Sequence, residues 1–298
     1  MNFFLKNMLQ GGEMICPIVR TECNSFLDHL DFHPHYELYF CHGSLLQRMF
    51  INGQEYTVSE PNVVILPPFA VHHISSGESV RSFERFVVYF GEELLSQFGA
   101  SVLSDTLRSS FDGTLFRLSA EGADTLLSAL QSVYAEGATR AEQATALATV
   151  LNRLDRLTDS ERRMQFPMLN EETPRILEYI YRNVGADLDA DRIAVRFNIS
   201  RAKLDRDFRR YVGRTVHQTV IDCRLSAAIA LLRRSDSSVG EIALRCGFES
   251  EYYFYAFCKR NTGMTPTELR RIGDSLTEII PYSSSERNHK TDQSLAEN

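Results

Sequence analysis

Ile193-Ala194-Val195-Arg196-Phe197-Asn198-Ile199-Ser200 recurs as Ile242-Ala243-Leu244-Arg245-Cys246-Gly247-Phe248-Glu249, 49 residues further along the chain. The offset becomes 50 when Gly213 is laid on Gly263, so the second turn region carries one extra residue. Each copy offers a small alanine where two helices cross closely, a tight turn, a polar helix start, and an apolar pair that locks the next helix down. In the first copy these are Ala194, Ser200 as N-cap, and Leu204 with Phe208 four apart on one helical face.

Working outward, Thr173-Pro174 opens a helix that runs to about Asn183, with Pro suited to a first turn. Asp187 or Asp189 caps the next. A helix follows over Arg201 to Tyr211, and a long one joins the copies over Val216 to Arg234. Ser238 and Glu241 form a capping box, and Ser250 to Asn261 is the last long helix of the second copy.

These residues resemble the AraC-type transcription regulators. The run Arg224-Leu225-Ser226-Ala227-Ala228-Ile229-Ala230-Leu231-Leu232 matches that family's linker helix. Gly240-Glu241-Ile242-Ala243, Gly247-Phe248, and Thr262-Gly263-Met264-Thr265-Pro266 with Leu269-Arg270 follow in the family's order and spacing. The resemblance implies two helix-turn-helix units on double-stranded DNA. The N-terminal part of each recognition helix enters a major groove. Base-contact candidates are Arg201, Ala202, Lys203, Asp205 and Arg206, then Glu251, Tyr252, Tyr255 and Ala256. Arg206 occupies a frequent base-reading position of the family and suits guanine. Phosphate-contact candidates are Ser200, Arg209, Arg210, Arg214, Ser250, Lys259 and Arg260. Asp205 and Asp207 repel phosphate unless one accepts from cytosine or pairs with an arginine. Ala256 stands where an arginine is common and Cys258 where a buried phenylalanine is common, so base reading by the second helix departs from the pattern. Packing is the competing reading of the aromatic run, with half the weight at Tyr253 and most of it at Phe254.

Charge divides the chain as a nucleic-acid reading requires. The 298 residues carry a net charge of -7, yet residues 171 to 271 hold 18 Lys+Arg against 14 Asp+Glu, a balance of +4, which leaves -11 elsewhere. No apolar run approaches the roughly 18 to 20 residues of a membrane span. The start Met1-Asn2-Phe3-Phe4-Leu5-Lys6 lacks the features of a signal peptide, and the expected location is the cytoplasm, without membrane partners. Six cysteines, at 16, 23, 41, 223, 246 and 258, form no CxxC pair; those at 223, 246 and 258 read as small buried hydrophobes.

The N-terminal stretch from Cys16 to Phe90 reads as short strands and turns. Asn52-Gly53 between Arg48-Ile51 and Gln54-Val58 is a hairpin signal, Val63-Leu66 is stopped by Pro67-Pro68, and a strand over Phe83 to Phe90 ends at Gly91. Ile51 to Tyr56 and the passage from Leu66 to His72 resemble the cupin-like effector domain of the same family. His33, His35 and Glu37 lie two apart, so on a strand they share one face, and Tyr39 continues the row. With His72 they are the effector-binding candidates. Ordinary surface or satisfied histidines, and metal ligands completed by His72 or His73, are the competing readings. No metal, cofactor or catalytic residue is expected. There is no Ser-His-Asp set, phosphate-cradling glycine loop or HExxH helix, and the alternative is a metal-dependent cupin enzyme with an appended helical domain.

Beyond Gly91, short helices are expected over Glu92 to Phe98 and Val102 to Leu107, a strand over Leu115 to Leu118, and helices over Ala123 to Tyr134 and Thr139 to Thr158. The last carries an apolar stripe of Ala144, Leu147, Val150, Leu151, Leu154 and Leu157, read equally as intradomain core or as a dimer surface. The expected class is α+β multidomain. A cupin-like antiparallel β-barrel over 1–91 is followed by a helical segment over 92–160, a linker over 161–170, an all-α tandem helix-turn-helix domain over 171–271, and a disordered tail over 272–298. The resemblance implies a regulator responding to a small-molecule effector; sugar-related ligands are common in that family, and no residue here singles one out. A homodimer is expected, and RNA polymerase is a candidate partner.

Overall fold

The computed structural model describes residues 15–20, 30–44, 46–76, 85–97, 109, 112–133, 135, 138–157, 163–166 and 171–272. The helix expected over 102–107 and the tail beyond Ile272 lie outside the described residues. The chain divides into two compact units, one holding residues 15–178 with 206–213, the other 179–205 with 214–272.

The first unit is built on antiparallel strands. β1 (Ile15–Arg20), β2 (Tyr36–Cys41), β5 (Asn62–Leu66), β7 (Arg85–Phe90), β8 (Thr114–Arg117) and β9 (Arg163–Gln165) form one sheet in the order β1-β7-β2-β5-β8-β9. A smaller sheet has the order β4-β3-β6, from β3 (Gln47–Ile51), β4 (Gln54–Val58) and β6 (His72–Ser76). The β3–β4 hairpin turns at Asn52-Gly53 with φ of 49° and 89°, the two positive values that a two-residue turn of the favoured twist requires.

The strands β2, β5 and β7 of the large sheet are buried on both faces. Period-2 alternation sends Leu38, Phe40, Val63, Ile65, Phe86, Val88 and Phe90 to one side. There they meet α2 (Ala120–Val133) and α3 (Arg140–Leu157); α1 (Glu92–Gln97) adds Leu94 and Leu95 to the same core. Leu147, Val150, Leu151 and Leu154 are fully buried in it, which contributes about 1.5–3 kcal/mol for each such side chain. Leu147, Val150, Leu151 and Leu154 are therefore intradomain core, and the dimer reading of those four residues is set aside. The expected linker also changes character: Arg163–Gln165 pairs with β8, and the Arg163 guanidinium reaches the Asp155 carboxylate at 3.0 Å. A three-residue strand of Arg, Met and Gln has no periodicity to betray it.

The second unit is helical. Its part of α4 (Glu172–Arg182) leads to α5 (Ala190–Arg196), capped by Asp189, whose carboxylate accepts from the Asp191 amide at 2.6 Å. α6 (Arg201–Asp207) begins in this unit; its last residues and the π-helical turn over Phe208–Val212, closed by Gly213 at φ 69°, are grouped with the first. α7 (Val216–Arg234) spans the expected joining segment and starts with a Thr215–Gln218 capping box. α8 (Val239–Arg245), with the Ser238–Glu241 box, α9 (Glu251–Thr262) and α10 (Pro266–Ile272) complete it.

The internal repeat survives in backbone detail. Asn198 and Gly247, 49 apart, both adopt positive φ (53° and 78°), as do Gly213 and Gly263, 50 apart (69° and 77°). Ser200 accepts from the Lys203 amide and Ser250 from the Tyr253 amide, again 50 apart, so the extra residue falls between Gly247 and Ser250. Leu204 and Phe208 in one copy, Phe254 and Cys258 in the other, are all fully buried. Burial pushes the Cys258 thiol up to about 12 and the Cys246 thiol up to about 11, so both act as small neutral hydrophobes.

Leu151→Ala is expected to lower the unfolding free energy by about 2–5 kcal/mol in urea denaturation. A variant of unchanged stability that loses only self-association would reverse the core assignment.

Candidate nucleic-acid interface and effector site

On α6 the apolar pair faces inward, which leaves Arg201, Ala202 and Arg206 exposed and Lys203 and Asp205 half-buried. Arg201 is committed within its own unit: its guanidinium donates to Asp205 at 2.8 Å and to Asp191 at 3.2 Å. Arg206 keeps 68% of its side chain exposed, with one 3.4 Å contact to Asp207. Both acidic neighbours thus face an arginine, which offsets the repulsion they offer to phosphate. The Ser200 and Ser250 hydroxyls accept from backbone amides, so each keeps its O–H to donate elsewhere.

Arg209 and Arg210 are exposed, with the Arg210 guanidinium 5.3 Å from the Tyr211 ring centroid. Arg214 differs. It is ion-paired with Asp222, and the two side chains are only 19% and 8% exposed. The phosphate reading of Arg214 is therefore replaced by a structural one, because its guanidinium is held in a largely buried ion pair with Asp222.

On α9, Glu251, Tyr252, Ala256, Lys259 and Arg260 are exposed. Tyr255 is half-buried, and its hydroxyl meets Thr267 Oγ1 at 3.0 Å. Tyr253 is 63% exposed beside Tyr252 at 78%, the rings edge to face at 5.7 Å, so the packing reading of Tyr253 does not hold. Phe254 and Phe257 pack inward, each against Phe248. Phe257 thus fills the core beside the small Cys258. Sequence reasoning passed over Val195 and Leu244, equivalent positions of the two copies that stand 81% and 65% exposed.

The effector candidates come together on the other face of the large sheet, but not by the expected route. β2 begins at Tyr36, so His33 and His35 precede the strand, and a bend over residues 34–35 brings the His33 ring back onto Glu37. His33 Nε2 lies 2.9 Å from Glu37 Oε2. His72 Nε2 reaches the same oxygen at 3.2 Å. Backbone hydrogen bonds in both directions between Asp31 and His72 hold β6 beside this segment. Tyr89 packs edge-on to the His33 ring at 5.0 Å. His35 is not one of the three side chains that converge; its carbonyl accepts from His33 Nδ1 at 3.0 Å and its ring stacks on that of His33 at 6.3 Å. His73 is on the opposite parity of β6 and is half-buried.

Tyr39 donates to Gln47 Oε1 at 2.8 Å, linking the two sheets. Gln47 was missed in the sequence, although it has the same parity as the inward Met49 and Ile51 of β3. It is fully buried, and among the described residues its Nε2 has no hydrogen-bond partner.

The family description "Helix-turn-helix domain" matches residues 193–272. The chain is 29% identical over 133 residues to the HTH-type transcriptional regulator ArgR of Pseudomonas aeruginosa, covering 42% of this chain and 40% of that protein. It is 32% identical over 101 residues to the HTH-type transcriptional activator RhaR of Yersinia pseudotuberculosis, covering 34% and 35%. The matched segments thus span well under half the length of these relatives. Among solved structures, ToxT from Vibrio cholerae aligns over 89% of this chain and 99% of that one, at a TM-score of 0.45 and 13% identity.

Two arginines of one helical region are expected to behave oppositely. Arg214→Ala should cost roughly 3 kcal/mol of stability in denaturant titration by removing one side of a largely buried ion pair. Arg209→Ala should leave stability unchanged and reduce the salt slope of DNA binding by about one. An unaltered midpoint for Arg214→Ala would return that residue to the exposed set.

Proposed function

We propose, with the membership of residues 193–272 in the AraC-type helix-turn-helix domains as premise, that this chain is a sequence-specific DNA-binding transcriptional regulator. The observation that carries the reading is the duplicated unit. Two capped helices turn their apolar pairs inward, and a single long helix joins the copies. Arg206, Arg209 and Arg210 of the first copy, and Tyr252, Lys259 and Arg260 of the second, stay outward. In the tandem helix-turn-helix reading, the N-terminal turns of α6 and α9 enter successive major grooves, and the basic side chains further along touch phosphate. The +4 balance of residues 171 to 271 supports that assignment.

Arg206 is the leading base contact, because the geometry leaves its guanidinium most exposed while Arg201 is tied to two carboxylates. On α9 the exposed Tyr252 and Tyr253 offer apolar edges in place of the arginine absent at Ala256. The first 91 residues, read as a cupin-like barrel, are the sensor, with the helices of 92–160 on the route to the DNA-binding half. The effector is a small polar molecule bearing an oxygen acceptor, which the buried Gln47 amide and its Tyr39 partner are placed to receive. The sugar-related class has that chemistry. A homodimer would have to use surfaces other than the buried stripe of α3, and RNA polymerase is a candidate partner of the bound protein. The role is regulatory and not catalytic, as the names of the relatives support. No described helix is long and apolar enough to cross a membrane. Action on DNA places the chain in the cytoplasm.

Electrophoretic retardation of the protein's own upstream region at moderate salt tests the reading. A retarded complex is expected, and Arg206→Ala is expected to weaken it by about 1–3 kcal/mol while leaving random DNA unaffected. Absence of any complex, with or without added effector, would defeat it; equal loss on random DNA would reduce Arg206 to a phosphate contact.

A further inference from the structure

Laid over each other at the offset of 50, α6 with its following turn and α9 agree in burial at every position from Arg201/Glu251 to Arg210/Arg260 except Lys203/Tyr253, where the tyrosine is the more exposed. The two copies therefore turn equivalent faces outward. What differs is the chemistry on those faces. Beyond the second turn it is preserved: Arg209 and Arg210 correspond to Lys259 and Arg260, all four exposed. Over the first two turns it is not. Arg201, Lys203 and Arg206 correspond to Glu251, Tyr253 and Ala256, so every cation of the first copy is replaced, and Ala202 gives way to Tyr252.

The outward groups of α9 are sorted further by their neighbours. A Cβ on Gly240 would stand 3.0 Å from Glu251 Oε2, so that carboxylate lies back against α8. The Tyr255 hydroxyl meets Thr267 Oγ1 at 3.0 Å. Tyr252, Tyr253 and Ala256 are left outward, with Ala256 one turn beyond the ring pair and on its face. This surface carries no cation, and its only donors are two phenol O–H groups at the ends of large apolar rings.

Exposed aromatic rings in a group call for a cover. Lys259 and Arg260, kept at the positions of Arg209 and Arg210, point to a duplex as that cover, since they repeat the same phosphate chemistry. In the major groove guanine offers two acceptors, adenine an acceptor and a donor, and cytosine a donor; thymine alone adds a methyl group. An apolar surface against a purine edge dehydrates its acceptors without replacing their hydrogen bonds. Against a methyl group it gains contact.

Resting on the DNA-binding reading above, we infer that α9 recognises thymine through its 5-methyl group. Tyr252 and Ala256 make the contact, and Tyr253, edge to face with Tyr252 at 5.7 Å, braces that ring. The operator is then chemically asymmetric, with guanine read by the charge of Arg206 in one groove and thymine read by apolar contact in the next.

The test is retardation of the protein's own upstream region by the full-length chain, with deoxyuridine replacing thymidine in one of the two protected grooves at a time. Uracil pairs as thymine does and lacks only the methyl group. The expected result is an affinity loss of about fourfold for each contacted methyl, confined to one groove. Tyr252→Ala should abolish that penalty, and Tyr252→Phe should keep it, because the ring and not its hydroxyl makes the contact. Tyr252 is exposed, so neither change should move the thermal midpoint. Should a variant fail to fold, the wild-type comparison of the two grooves decides alone. Equal penalties in both grooves, or a penalty lost in Tyr252→Phe, overturn the methyl contact while the retarded complex stands. No penalty in either groove, with Tyr252→Ala binding as tightly as the wild type, assigns the rings to a protein partner instead. Absence of any complex with the unmodified duplex defeats the regulator reading and this inference together.

Discussion

A residue forced into the left-handed region at each of two turns sets what the rest of the C-terminal half can do. At Gly247 the constraint is steric as well as conformational. A Cβ there would stand 2.8 Å from the Val184 carbonyl oxygen and 2.9 Å from Arg224 Nη2, while Arg224 itself donates to the Val184 carbonyl at 3.1 Å. Any side chain would push apart the contact that anchors the joining helix. At Asn198 the same conformation is adopted by the residue type that tolerates it best after glycine. Because each turn reverses the chain so tightly, Ile193-Ala194 and Ile242-Ala243 stay buried, and the next helix begins at a serine cap. Its polar face is then left outward.

The N-terminal half rests on a different constraint. A sheet covered on both faces must satisfy every polar group it turns inward. One face is closed by α2 and α3 through a large apolar core. The other carries Glu37 and Tyr39, which meet His72 and Gln47 of the smaller sheet, with His33 folded back onto Glu37. Such a network is expensive to bury and unnecessary for a stable sandwich, which is the physical reason to treat it as a site. A ligand held there can influence DNA binding only to the extent that it prefers one arrangement of the protein over another.

Much of this was legible in the sequence where local rules dominate. The Asn52-Gly53 turn, the Ser238–Glu241 box, the ends of the joining helix and the buried stripe of α3 follow from turn chemistry, capping and helical periodicity. Other features depend on what meets them in space. The return of His33 onto Glu37 comes from a bend before the strand, which period-2 reasoning does not contain. Arg214 reads as one more surface charge until Asp222 is seen beneath it, and Tyr253 reads equally as core or exposed face until Phe254 and Phe257 are seen to fill the interior. The short β9 has no pattern of its own and exists because β8 offers it an edge. Gln47 lay in plain view at an inward parity, a polar residue where the alternation calls for an apolar one.

The central claim is that the two copies act as a pair on one duplex. Hydroxyl-radical footprinting of the bound upstream region tests it most directly. The account predicts two protected patches on one face of the DNA, about 34 Å apart, the spacing of successive major grooves. Protection confined to a single groove, or none at any salt concentration, would contradict it.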